Sequence, residues 1–72
     1  MSDPVEVPIE DEGIRLGQFL KLANLIDSGS EAKTVIANGL VRVNDEVELR
    51  RGRQLVVGDV VTLAGRRAIV SV

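Results

Sequence analysis

The chemistry open to this chain lies in its nine lysine and arginine side chains, because the usual catalytic groups are missing. There is no histidine and no cysteine, which removes the commonest general base and the best side-chain nucleophile. Disulfides and thiolate metal sites go with the cysteines. Neither a phosphate-binding Walker loop nor a G-x-G-x-x-G fingerprint occurs, and the acids are spread along the chain without metal-ligand spacing. No enzyme activity and no cofactor is expected. What remains is contact between cations and an anionic partner. Arg50, Arg51 and Arg53 cluster around Gly52, while Arg15, Lys21, Lys33 and Arg42 are spaced singly through the preceding segment. As exposed loop charges, Arg50 and Arg51 are expected to matter little for stability.

The formal net charge of -2 argues against a nucleic-acid partner until its distribution is read. Residues 1–12 hold five acids (Asp3, Glu6, Glu10, Asp11, Glu12) and no base, which leaves six acids against all nine bases in residues 13–72, a net of +3. An acidic N-terminal segment thus precedes a mildly basic body, and binding must rest on local clustering rather than on overall charge. The acidic run either favours the positive end of the first helix or shields the basic surface until a partner displaces it. Phe19 is the only aromatic residue, so a platform that stacks bases on aromatic rings is excluded. Phosphate and 2′-hydroxyl contact with a folded RNA, read by shape, is the nucleic-acid chemistry left. No run approaches membrane-spanning length and no leader is visible, so a cytoplasmic protein, monomeric by default, is expected.

These side chains need a frame, and the segment from Arg15 to Asp45 supplies it. Leu16, Phe19, Leu20, Ala23 and Ile26 recur at helical spacing, which predicts a first helix over about 14–26. Ala32, Val35 and Ile36 mark a second helix, opened by a Ser28…Glu31 capping box and closed at Asn38-Gly39, where glycine supplies a left-handed conformation. Neither helix is stable alone at about a dozen residues, so each must bury its stripe on the other and on the strands that follow. Val5, Val7 and Ile9 alternate with polar residues as a strand, confined to a sheet edge by Pro8 and placed most simply beside the C-terminal strand. Val41–Val43, Val60–Leu63 and Ala68–Val72 read as further strands, with Leu55 in a short one.

The hairpin after Val43 poses a register question. A two-residue loop at Asn44-Asp45 sets Val43 opposite Glu46 and Val41 opposite Glu48. A three-residue loop sets the valines opposite Val47 and Leu49. Only the second keeps an apolar face, since a one-residue slip moves every side chain across the sheet. The expectation is a three-residue loop or a bulge.

The order of these pieces resembles the RNA-binding domain named for ribosomal protein S-four, with its alpha-L motif. Arg15-Leu16, Phe19-Leu20, Glu31-Ala32, Val41, Val43-Asn44 and Gly58-Asp59 carry the resemblance over about residues 14–64. Leu16-Gly17-Gln18-Phe19-Leu20-Lys21 and Ser28-Gly29-Ser30-Glu31-Ala32-Lys33 are similar to short stand-alone bacterial members. The resemblance implies an α+β fold of two packed helices followed by a small antiparallel sheet of four or five short strands. With the charge distribution, it divides the chain into an acidic segment with an edge strand, 1–12, and a single RNA-binding domain, 13–72.

It further implies a non-catalytic module that holds structured RNA, ribosomal RNA among the candidates, through Arg15, Lys21, Lys33, Arg42, Asn44, Arg50, Arg51 and Arg53. Departures from the family pattern are Gly17 in place of an aspartate, Gly29 and Ser30 where many members carry arginines, and Asp45 where Asn-Gly is usual. The missing arginines, the acidic tail and the low body charge favour the alternative, a protein-interaction adaptor that kept the fold.

Overall fold

Proline 8 sets the outer limit of the sheet. Lacking an N–H, it sits on an edge strand, β1 (Val5–Pro8), in a computed structural model that describes residues 4–10 and 13–72. The chain continues through β2 (Ile14–Arg15), α1 (Leu16–Leu22), α2 (Gly29–Ala37), β3 (Val41–Val43), β4 (Glu46–Val47), β5 (Gln54–Leu55), β6 (Val60–Leu63) and β7 (Arg66–Ser71). Five strands make one sheet in the order β1-β7-β6-β3-β4, while β2 and β5 form a separate two-stranded ladder.

The expected place of the N-terminal strand beside the C-terminal one is what the structure has, but the expected all-antiparallel sheet is not. Val5 to Pro8 run parallel to Ala68 to Ser71, so the sheet is mixed. The whole body of the chain lies between these two strands, so no hairpin forces them antiparallel. Among the described residues no helix is long and apolar enough to cross a membrane.

Both helices bury one stripe against one face of the sheet. Leu16, Phe19 and Leu20 of α1 and Ala32 and Ile36 of α2 are buried with Val41, Val43, Val61, Leu63, Ala68 and Val70 of the strands. Alternate strand residues point the other way, as the period of two demands.

The first helix is shorter than its apolar spacing predicts, seven residues rather than about thirteen. Its start is lost to the ladder in which Ile14 and Arg15 pair with Leu55 and Gln54. It ends at Asn24, which takes a left-handed φ of 59°. There the Leu25 N–H donates to the Leu20 carbonyl at 2.9 Å and the Asn24 N–H to the Lys21 carbonyl at 3.1 Å, the Schellman closure with asparagine in place of glycine. The second helix closes the same way at Gly39 (φ 71°), as the sequence predicts. At its start the Ser28 hydroxyl accepts from the Glu31 N–H at 3.4 Å, but the Glu31 carboxylate accepts from the Asp27 N–H rather than from Ser28. Of the acidic run expected before α1, Asp11 and Glu12 lie outside the described residues.

The hairpin contradicts the expected three-residue loop. Val43 pairs with Glu46 and Arg42 with Val47, across a two-residue turn in which Asn44 and Asp45 both have positive φ, 52° and 69°. This is the primed turn whose twist suits a hairpin. The two-residue turn costs the apolar face opposite Val41 because a carboxylate here turns inward. Glu48 does so, 7% exposed, with the Val41 carbonyl accepting from its N–H at 3.0 Å. Asp45 therefore holds a conformation that glycine adopts without a Cβ penalty. Asp45→Gly is expected to raise stability by about 0.5 kcal/mol, the strain relieved exceeding the added chain entropy. A lower urea midpoint in the variant would contradict this.

Candidate nucleic-acid interface

The loop between β4 and β5 is built inward around Glu48. Arg50 donates to its carboxylate through Nε at 3.1 Å and Nη2 at 3.4 Å, and Arg53 through Nη1 at 2.9 Å. The Arg50 backbone N–H adds a bond at 3.1 Å. These partners, Arg50 first and then Arg53, hold the carboxyl down to about 2 against the desolvation that would raise it. The expectation that Arg50 and Arg51 matter little for stability is thereby corrected for Arg50, which with Arg53 neutralises a buried charge.

The far side of the same loop is fastened to the start of α1. The Leu16 N–H donates to the Arg53 carbonyl at 2.8 Å and the Gly17 N–H to the Arg51 carbonyl at 3.1 Å. Gly17 makes the approach possible, since a Cβ there would lie 2.8 Å from Cγ of Arg51. Arg51 is thus laid across the first turn of α1. A groove of about 440 Å3 results, in which Arg15, Lys21 and Arg51 stand around Gly17, Gln18, Gly29, Ala32 and Gly52. All three cations are exposed and have no ion-pair partner among the described residues. Lys33, exposed on α2, does not line the groove but lies one helical turn beyond Gly29, which does.

The other residues singled out from the sequence lie elsewhere. Arg42 alternates with the buried Val41 and Val43, so it projects from the sheet face opposite the helices, beside Thr62 and Val47. The Asn44 amide is used within the fold, donating to the Asp59 carboxylate at 3.0 Å and accepting from the Val60 N–H at 3.0 Å. The structure therefore gathers Arg15, Lys21 and Arg51, with Lys33 adjacent, and separates them from Arg42 and Asn44. Gln18 and Gly52, which sequence reading passed over, complete the groove. Gln18 has a local signal, because its Oε1 accepts from the Arg15 N–H at the helix start.

Nothing among the described residues gathers three metal-binding side chains. Two short helices backed by a small mixed sheet make an α+β domain of the alpha-L type, with the unpaired cations drawn from β2, α1 and the loop between β4 and β5. Comparison with known proteins gives the same class. The chain belongs to the S4 domain family, whose model matches residues 7–71.

It is 52% identical over 65 residues to a protein of Bacillus subtilis (strain 168) named "Probable ribosome maturation protein RlbA", covering 90% of this chain and 89% of that one. YbcJ of Escherichia coli (strain K12) is 40% identical over 52 residues, 72% of this chain and 74% of that protein. The solution structure of E. coli YbcJ, described as revealing an alfaL motif involved in RNA-binding, superposes over 100% of this chain and 92% of its own with a TM-score of 0.73 and 33% identity. Ribosomal protein S4e of Thermoplasma acidophilum matches 81% of this chain and 31% of its own, with a TM-score of 0.61 and 26% identity.

Proposed function

We propose that this chain is a non-catalytic RNA-binding module that holds structured RNA, ribosomal RNA being the fitting class, through the groove of Arg15, Lys21 and Arg51 with Lys33 beyond it on α2. The observation that carries the reading is Arg51, brought over Gly17 to stand with Arg15 of β2 and Lys21 of α1. Family membership, the RNA-binding motif described for YbcJ and the ribosome-maturation name of the B. subtilis relative support it. The module acts in the cytoplasm as a monomer. Its basic residues all lie in 13–72, the part read as the RNA-binding domain, while 1–12 is the acidic segment. Arg42 serves as a separate phosphate contact on the open sheet face. Arg50 and Arg53 act first on Glu48.

Arg15, Lys21, Arg51, Lys33 and Arg42 make about five phosphate contacts, so the log affinity falls against log salt with a slope of about −3.5, taking the single-strand coefficient as a floor. Lys21→Ala with Arg51→Ala is expected to flatten it by about 1.4 and to weaken all folded RNAs alike. Both side chains are exposed and lie outside the Glu48 cluster, so folding is preserved. The check is a salt titration of wild type and double variant on a structured RNA and on a length-matched single strand. Equal slopes for the two proteins would remove the groove from the interface. A second reading, the protein-interaction adaptor, is favoured by three exposed aliphatic residues, Leu40, Val47 and Leu49, the last two packed near Gly39. Absence of RNA binding at low salt would put that reading first.

A further inference from the structure

A second and larger groove, of about 820 Å3, adjoins the basic one. Pro8, Ile9, Ile14 and Leu22 give it apolar walls, and Glu10, Gln18 and Lys21 stand on it. Gln18 and Lys21 line both grooves, so the two lie side by side along α1 as a two-part trough. The volume falls within the range of small-molecule pockets, which join apolar walls to a few convergent polar groups. Leu22 is a large aliphatic residue left 52% exposed at this place.

The two halves of the trough differ in chemistry. The basic half suits phosphate, and phosphate contacts fix position without reading sequence. The apolar half carries a carboxylate, which repels phosphate and accepts from base-edge N–H groups instead. Gln18 turns its Oε1 to the Arg15 N–H at 3.4 Å, and its NH2 has no acceptor among the described residues. One acceptor and one donor on apolar walls match the edge and faces of a base.

We infer that this groove seats a single unpaired nucleobase beside the phosphates held by Arg15, Lys21 and Arg51. Guanine fits it best, because N1–H and the N2 amino group present two adjacent donors to Glu10 while O6 accepts from Gln18. The inference rests on the RNA-binding reading and adds sequence preference to it.

The test uses one RNA stem carrying a single-nucleotide bulge, made with guanine, uracil or an abasic site, and the full chain as wild type, Leu22→Ala and Glu10→Gln. Wild type is expected to bind the guanine bulge about tenfold more tightly than the other two, the discrimination of one good bidentate base contact. Each variant is expected to shrink that preference below about threefold while leaving the salt slope unchanged, since neither removes a cation. Leu22 is exposed and Glu10 lies outside the core, so circular dichroism should report the same fold. Equal binding of the three bulges by wild type overturns the inference, as does either variant that keeps the full preference. Failure of the underlying reading looks different: no RNA of the three binds at low salt, and both proposals fall together.

Discussion

Phe19→Ala is expected to leave the domain close to unfolding, a loss of about 3–5 kcal/mol. The ring is 0% exposed and is the largest fully buried side chain. It sits in α1 between Leu16 and Leu20, themselves fully buried, so truncation leaves a cavity that a seven-residue helix cannot close by shifting alone. A domain this short buries only about 60% of its unfolded surface, and its whole margin is about 5 kcal/mol or little more. Phe19→Leu keeps most of the volume and is expected to cost less than half as much. Urea denaturation of the three proteins decides the matter. A midpoint for Phe19→Ala within error of wild type would show that the ring does not hold the core, and the only aromatic residue would then become a candidate for base contact.

The core was legible because burial obeys periodicity. Leu16, Phe19 and Leu20 recur at helical spacing, Val41 and Val43 or Val61 and Leu63 at strand spacing, and each set is buried. The end of α1 was not legible by that rule. Ile26 returns to the core after the chain has left the helix at Asn24, so the stripe continues while the hydrogen-bond ladder does not. The hairpin register was misread for a related reason. Whether Glu48 can face inward depends on Arg50 and Arg53, which no pattern within the strand announces.

The groove was legible in its parts but not as an assembly. Arg15, Lys21 and Arg51 stand out as cations in the sequence, yet only the docking of Arg51 on Gly17 brings them together. Within one loop, Arg51 faces the groove while Arg50 and Arg53 hold the buried carboxylate, a division set by where Glu48 lies. Asn44 belongs to the same lesson, since its amide is consumed by Asp59 and Val60 in tying the hairpin to the following turn.

Arg53→Ala is expected to cost about 1 kcal/mol at neutral pH, because it strips a buried carboxylate of its better-enclosed partner. The Arg53 side chain is 30% exposed against 76% for Arg50. Arg50 remains in the variant but is bathed in solvent, so it replaces only part of the loss. Acid reveals the same cluster in the wild-type chain. Glu48 titrates at about 2 when folded against an ordinary 4.5. Its folded value is depressed, so its contribution is complete above about pH 4.5 and is lost as pH falls towards 2.

With the solvent-facing Arg50 discounted, that contribution is about 1–2 kcal/mol. Arg53→Ala raises the folded value and so is expected to flatten the acid limb of the stability curve. The penalty of the substitution should then be largest at about pH 7 and about half as large near pH 2.5, where Glu48 is largely protonated in the variant but still mostly ionised in the wild type. Urea midpoints of both proteins at the two pH values measure it. An equal penalty at both would mean that Arg53 acts through packing of its aliphatic stem, and a zero penalty at pH 7 would mean that Arg50 alone satisfies Glu48.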